Sequence, residues 1–221
     1  MLREIAGPAG SLEALLDEPA AKSGIGPDGL VERQGGTTVR AAVVLGHPHP
    51  QYGGTMHTKA VFQSAKALAR IGCAVLRFNF RGVGRSGGAF DGGVGERDDF
   101  RAALDFVHQR YPGAPAWAAG MSFGSWIALS VGADDPRVSA LIGLSTPVGR
   151  YDFTAAAASP KAKFLIHGER DEICPLKEAR AFYARAAEPK EFAVIDGADH
   201  VFDGKTSEVG DALEDLLGDW A

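Results

Sequence analysis

The chain has 221 residues and a formal net charge of −5, with 45% of its residues hydrophobic and 23% charged. That length gives one α/β domain over residues 1–221 as the expectation, and the apolar content is enough for a continuous core, which argues against a disordered chain. The acidic balance and scattered arginines offer no basic stripe to a phosphate backbone, and no apolar run reaches the roughly 18 residues of a membrane span, so neither nucleic acid nor membrane is an expected partner.

In chain order, the first predicted strand covers residues 11–16. Residues 18–36, rich in Gly, Pro and charge, show no periodicity and read as a loop or irregular hairpin. A strand follows over 38–45, a helix over 55–70, a strand over 73–79, a helix over 96–110 and a strand over 114–119. After these come a helix over 123–131, strands over 138–144 and 163–166, a helix over 177–186, a strand over 191–195 and a helix over 207–217. Strand-length apolar runs alternating with helical spacing build βαβ units, which predicts an α/β fold with a mostly parallel central sheet flanked by helices.

Residues 145–162 leave space for a small cover and not for a large lid domain, and Ala155 to Ala158 amount to a helix turn or a loop. The two cysteines, Cys73 in an apolar run and Cys174 in a loop, are expected as free thiols. The start Met1-Leu2-Arg3-Glu4-Ile5 lacks the charged-then-apolar order of a signal peptide, so a cytoplasmic location is expected.

The strongest motif is Gly120-Met121-Ser122-Phe123-Gly124, a GxSxG sequence between a predicted strand and a predicted helix. A nucleophile on a tight strand-to-helix turn takes strained backbone angles, so the residues two before and two after must be small. The turn would raise the Ser122 hydroxyl above the sheet at a helix N-terminus, where peptide dipoles favour negative charge.

A serine hydroxyl is inert at neutral pH until an imidazole takes its proton and a carboxylate orients that imidazole. Two later strands are followed by His167-Gly168-Glu169-Arg170-Asp171-Glu172-Ile173-Cys174-Pro175 and by Asp196-Gly197-Ala198-Asp199-His200. These supply, in the order nucleophile, acid, base, a predicted catalytic triad of Ser122, Asp171 and His200. Glu169, Glu172 and Asp199 compete as the acid, while His57, His108 and His167 read as structural.

Gly46-His47-Pro48-His49-Pro50 follows the strand over 38–45, where a second oxyanion donor belongs. Pro48 and Pro50 have no N–H, which leaves the His49 backbone amide to work with that of Phe123. His47, His49 and His57 do not make a metal site, because proline separates the first two and no Cys or carboxylate ligand is near in sequence. Gly82-Val83-Gly84-Arg85-Ser86-Gly87 matches GxGxxG, but Gly88, Gly92, Gly93 and Gly95 follow and no helix can start at the third glycine. It reads as a loop beside the site with Arg81 in a structural ion pair, and no cofactor or metal is expected.

These motifs together resemble the small bacterial α/β-hydrolase superfamily proteins of the dienelactone-hydrolase-like kind. The likeness rests on Gly7-Pro8-Ala9-Gly10, His47-Pro48-His49-Pro50 with Gly53-Gly54-Thr55-Met56, Phe78-Asn79-Phe80-Arg81-Gly82, Ser122-Phe123-Gly124 and His200-Val201-Phe202-Asp203-Gly204. A true dienelactone hydrolase carries Cys at the elbow where this chain has Ser122. The resemblance implies a lidless serine carboxylesterase acting on small-molecule esters with small acyl groups. Thioesters, lactones and amides would use the same machinery, and a non-catalytic ligand-binding relative is the alternative from another class.

Overall fold

The structure, a computed structural model, describes residues 3–20, 23–25, 31–33 and 39–220. The strands are β1 (Glu4–Gly7), β2 (Gly10–Asp17), β3 (Ser23–Ile25), β4 (Val31–Arg33), β5 (Ala42–Gly46), β6 (Ala74–Phe78), β7 (Ala116–Met121), β8 (Val138–Leu144), β9 (Ala162–Gly168) and β10 (Lys190–Ile195). The helices are α1 (Lys59–Arg70), α2 (Val94–Arg110), α3 (Phe123–Asp134), α4 (Thr154–Ala158), α5 (Leu176–Arg185) and α6 (Thr206–Leu217). Eight strands form one sheet in the order β1-β2-β6-β5-β7-β8-β9-β10, with β2 antiparallel to both neighbours and every later pairing parallel. The predicted α/β-hydrolase fold, with its mostly parallel sheet flanked by helices, is the observed one.

Helices α1 and α6 pack on one face of the sheet, where Val61, Leu68, Val209 and Leu213 meet Val43, Val75, Ile142 and Phe164. Helices α2 and α3 cover the other, joining Phe100, Leu104 and Ile127 to Val44, Leu76 and Ala118. Strands covered on both faces favour apolar side chains at every position, and β5, β6, β7 and β9 are buried throughout. Strands β5 and β7 accordingly read as unbroken apolar runs, whereas the buried Arg77 of β6 is paired with Asp17 and the buried Lys163 of β9 donates to the Lys161 and Ala187 carbonyls.

By propensity, Ala116-Trp117-Ala118-Ala119 is a poor strand. Its small residues let α3 approach closely: a methyl placed on Gly132 would lie 2.7 Å from both the Ala118 Cβ and the Leu141 Cδ2. Position in the middle of the sheet overrides propensity here.

Among the element boundaries that differ from the sequence prediction, the starts of α1 and α2 have a visible cause in hydrogen bonding. Helix α1 starts at Lys59, later than predicted, because the Met56 N–H donates to Asn79 Oδ1 (2.8 Å) and the Met56 carbonyl accepts from Arg77 Nη1 (2.8 Å), which ties this segment to the end of β6. Helix α2 starts earlier, at Val94, because the Glu96 carboxylate accepts the Asp91 and Gly93 amides at 2.8 and 2.7 Å. Strand β5 starts at Ala42; the first predicted strand residue, Thr38, lies outside the described residues.

Arg81 forms a fork with the fully buried Asp99, Nη2 to Oδ1 at 2.8 Å and Nε to Oδ2 at 3.0 Å. The ion pair anchors the glycine-rich loop to α2, as expected of a structural arginine. Between β8 and β9 the chain carries only short α4 and no large lid. No helix among the described residues is long and apolar enough to cross a membrane. Residues 23–25 and 31–33 pair as an antiparallel hairpin within the segment that showed no periodicity.

Candidate active site

Strand β7 ends at Met121 and α3 begins at Phe123, so Ser122 alone makes the turn, with φ 51° and ψ −121°. A positive φ on a residue with a side chain is strained, and neighbouring hydrogen bonds hold it. The Ser122 N–H donates to the Leu144 carbonyl (2.8 Å), and the Ser122 carbonyl accepts from the Ser125 N–H and hydroxyl at 2.8 and 2.6 Å. A methyl on Gly120 would strike the Gly124 carbonyl, and one on Gly124 would strike the Gly46 and His47 carbonyls. The second glycine is therefore required by the loop after β5 as well as by the turn itself.

The three predicted triad residues come together from three strand ends. Ser122 Oγ lies 2.9 Å from His200 Nε2, and His200 Nδ1 lies 2.8 Å from Asp171 Oδ2. Asp171 Oδ1 accepts the Ile173 and Cys174 amides at 3.0 and 2.7 Å, which orients the carboxylate toward the imidazole. A carboxylate can only accept, so Nδ1 carries the proton and Nε2 is free to accept from the serine hydroxyl. Burial pushes the Asp171 carboxyl up, but the hydrogen bonds from His200 and the Cys174 amide outweigh it and hold the group below its ordinary value.

The competing acids are engaged elsewhere. Glu169 Oε2 accepts the Gly197 amide at 2.8 Å, and Asp199 Oδ1 accepts the Val201 and Asp203 amides at 3.1 and 2.9 Å. Both shape the loop that carries His200, and Glu172 is exposed. His167 is buried and bonded to the Cys174 carbonyl at 2.6 Å, and burial pushes its imidazole toward the neutral form. It braces the acid turn. His57 and His108 are exposed.

No sequence signal marked Ser145. Its hydroxyl donates to the His200 carbonyl at 2.8 Å, its N–H donates to the Ile166 carbonyl at 2.9 Å, and its own φ is 45°. The residue after β8 thus ties the His200 backbone to the end of β9, a link across 55 residues that no periodicity reveals.

On the oxyanion side, the His47 ring is fully buried and bridges two backbones: Nδ1 donates to the Pro48 carbonyl at 2.6 Å and Nε2 accepts the Phe80 amide at 3.1 Å. Burial lowers its pKa to about 4. The His49 carbonyl takes the Tyr52 and Gly54 amides, both at 3.1 Å, while its ring stands 4.9 Å from that of Phe123. The backbone amides of His49 and Phe123 have no acceptor among the described residues. Two such N–H groups beside a nucleophile can hold a negatively charged oxygen.

Cys174 is free and buried beside the acid, and burial pushes its thiol up to about 12; Cys73, free and buried under α1, is pushed up to about 12 as well. The ligand-type atoms of Asp171, Cys174 and His200 lie within 4.8 Å of one another, but Asp171 and His200 are hydrogen-bonded to each other.

A single-residue elbow after a central parallel strand, with an acid and a histidine delivered by later strands, defines the α/β serine hydrolases. The family model described as serine aminopeptidase, S33, matches residues 37–159, and the chain belongs to this family of the α/β-hydrolase superfamily. An uncharacterised protein of Rickettsia prowazekii is 38% identical over 204 residues, covering 87% of this chain and 86% of its own. The solved α/β serine hydrolase homologue from Coxiella burnetii is 35% identical with a TM-score of 0.85, covering 97% of this chain and 95% of that one. The lidless α/β serine hydrolase from Xanthomonas campestris is 30% identical with a TM-score of 0.85, over 98% and 93% of the two chains.

Proposed function

We propose that this hydrolase is a cofactor-free carboxylesterase that cleaves small-molecule esters of short acyl groups through Ser122, His200 and Asp171. The observation that carries the reading is the unbroken chain of hydrogen bonds at 2.9 and 2.8 Å that starts at a strained elbow serine.

Ser122 Oγ attacks the ester carbonyl carbon as His200 Nε2 takes its proton, and Asp171 balances the imidazolium that results. The carbonyl oxygen becomes the oxyanion, held by the His49 and Phe123 amides. The imidazolium then gives its proton to the leaving alcohol, which departs and leaves an acyl group on Ser122. Water, deprotonated by the same imidazole, attacks this acyl-enzyme and releases the acid.

Hydrolysis of p-nitrophenyl acetate, butyrate and octanoate by wild type and Ser122→Ala tests the reading. Activity favouring the short esters, and lost on the order of 10⁴-fold or more in the variant, supports it. Equal, slow rates in both proteins on all three esters overturn it. The matched family model carries an aminopeptidase description, so aminoacyl anilides belong in the same panel. Faster cleavage of these than of the esters would make amide hydrolysis the main activity on the same residues.

A further inference from the structure

The elbow stands in a field of aromatic rings. The Phe123 ring, one residue after the nucleophile, lies 4.9 Å from His49, 5.8 Å from Phe90, 5.6 Å from Trp126 and 6.1 Å from Tyr151. Tyr52 extends the row beyond His49, 4.7 Å between rings, and Tyr151 stacks on Trp126 at 4.2 Å with only 13° between the planes. Phe123 is buried, whereas His49, Phe90, Trp126 and Tyr151 are half-buried and Tyr52 is 86% exposed. These rings come from the loops after β5, β6 and β8 and from the first turns of α3, so separate parts of the chain meet around the Phe123 ring, one residue from the nucleophile. Core packing explains Phe123. It accounts only in part for His49, Phe90, Trp126 and Tyr151, which stay half-buried, and not for Tyr52, and apolar surface left in water near a nucleophile marks a binding region.

The rings also lie on one side of the reacting atoms. Phe123, Phe90, Trp126 and Tyr151 pack into the α2/α3 layer, whereas the loop bearing His200 packs through Ala198 and Phe202 into the α1/α6 layer. The leaving alcohol must sit beside His200 to receive its proton, so the acyl group is directed away from His200 toward the rings. We infer that the aromatic row formed by His49, Tyr52, Phe90, Trp126 and Tyr151 around Phe123 is an acyl subsite for esters of aromatic acids, with the substrate ring packing edge-on or offset against it. This rests on the esterase reading above and narrows its acyl group to a compact, uncharged one that ends in an aromatic ring.

The test compares p-nitrophenyl 3-phenylpropanoate with p-nitrophenyl 3-cyclohexylpropanoate. Two methylenes insulate the ring from the carbonyl in both, so intrinsic reactivity is matched, and the saturated ring is the more hydrophobic. Simple apolar burial therefore favours the cyclohexyl ester, while ring-to-ring packing favours the phenyl ester. Ring packing predicts a kcat/KM ratio of about tenfold in favour of the phenyl ester. Tyr151→Leu and Phe90→Leu should each lower that ratio by about twofold or more. Because both rates come from one preparation, the ratio is unaffected by any loss of folded protein. If both esters are cleaved and the cyclohexyl ester is equal or better, the subsite is wrong while the esterase reading stands. If neither ester is cleaved while p-nitrophenyl acetate is, the subsite is wrong and the esterase reading stands; if the acetate also fails, the esterase reading fails, and thermal shifts with the two free acids decide the subsite: stabilisation by 3-phenylpropanoate alone supports it, and equal or absent shifts overturn it.

Discussion

The loop after β5 and the loop after β10 each bury a histidine with both ring nitrogens hydrogen-bonded, and the two rings are suited to opposite tasks. His47 sits between two backbone groups, a carbonyl and an amide, neither of which can lose or gain a proton. His200 sits between a carboxylate and a hydroxyl. A proton arriving on His47 would displace the Phe80 amide and find no counter-charge among its hydrogen-bond partners, whereas one arriving on His200 faces Asp171. Burial is common to both, so what makes an imidazole a rigid peg in one loop and a proton carrier in the other is the kind of atom at each end.

The sharpest way to break this contrast is Asp171→Asn. The Ile173 and Cys174 amides hold Oδ1, so the asparagine oxygen will keep that position and turn its NH₂ toward His200 Nδ1. Nδ1 must then accept, Nε2 becomes protonated, and the imidazole loses its ability to take the Ser122 proton. A fall in kcat on the order of 10⁴-fold at unchanged fold is expected, checked by steady-state kinetics with circular dichroism. A loss below tenfold would mean that His200 does not depend on its acid.

His47 should show itself in stability instead. Below about pH 6.5 the unfolded chain binds a proton that the folded ring refuses until about pH 4, so stability falls with pH across that window. His47→Gln can still accept the Phe80 amide but does not titrate. Urea unfolding at pH 7 and pH 4.5 should show the variant losing about 2 to 3 kcal/mol less than wild type between the two conditions. Equal losses would show that His47 takes up protons as freely folded as unfolded.

The smallest expected effect is at Ser145, which touches His200 only through its backbone carbonyl. Ser145→Ala should lower kcat by about tenfold or less, with KM nearly unchanged, since one hydrogen bond contributes about 1 kcal/mol. A change in KM without a change in kcat would remove Ser145 from the support of the imidazole.

The contrast also separates what the sequence discloses from what it hides. Strand β8 falls on its predicted residues, 138–144, because its apolar run is bounded by polar turns on both sides. Ser122, Asp171 and His200 were legible because strand ends, loop order and glycine spacing are all local properties of the chain. Strand β1 escaped notice because Glu4-Ile5-Ala6-Gly7 is too short to show alternation and takes its register from β2. The start of α1 was misread because Asn79 and Arg77, more than twenty positions away, hold residue 56 out of the helix. His47 and Ser145 act on the site through backbone groups, and backbone partners are invisible in a list of side chains.

The two deeply buried thiols have a practical consequence for spectroscopy. With Cys73 and Cys174 both free, inaccessible and pushed up to about 12, maleimides and iodoacetamides should leave the native chain unmarked at neutral pH. A single cysteine introduced on the surface, at exposed Val94 at the start of α2 or at exposed Val201 beside His200, would then be the only place a fluorophore attaches.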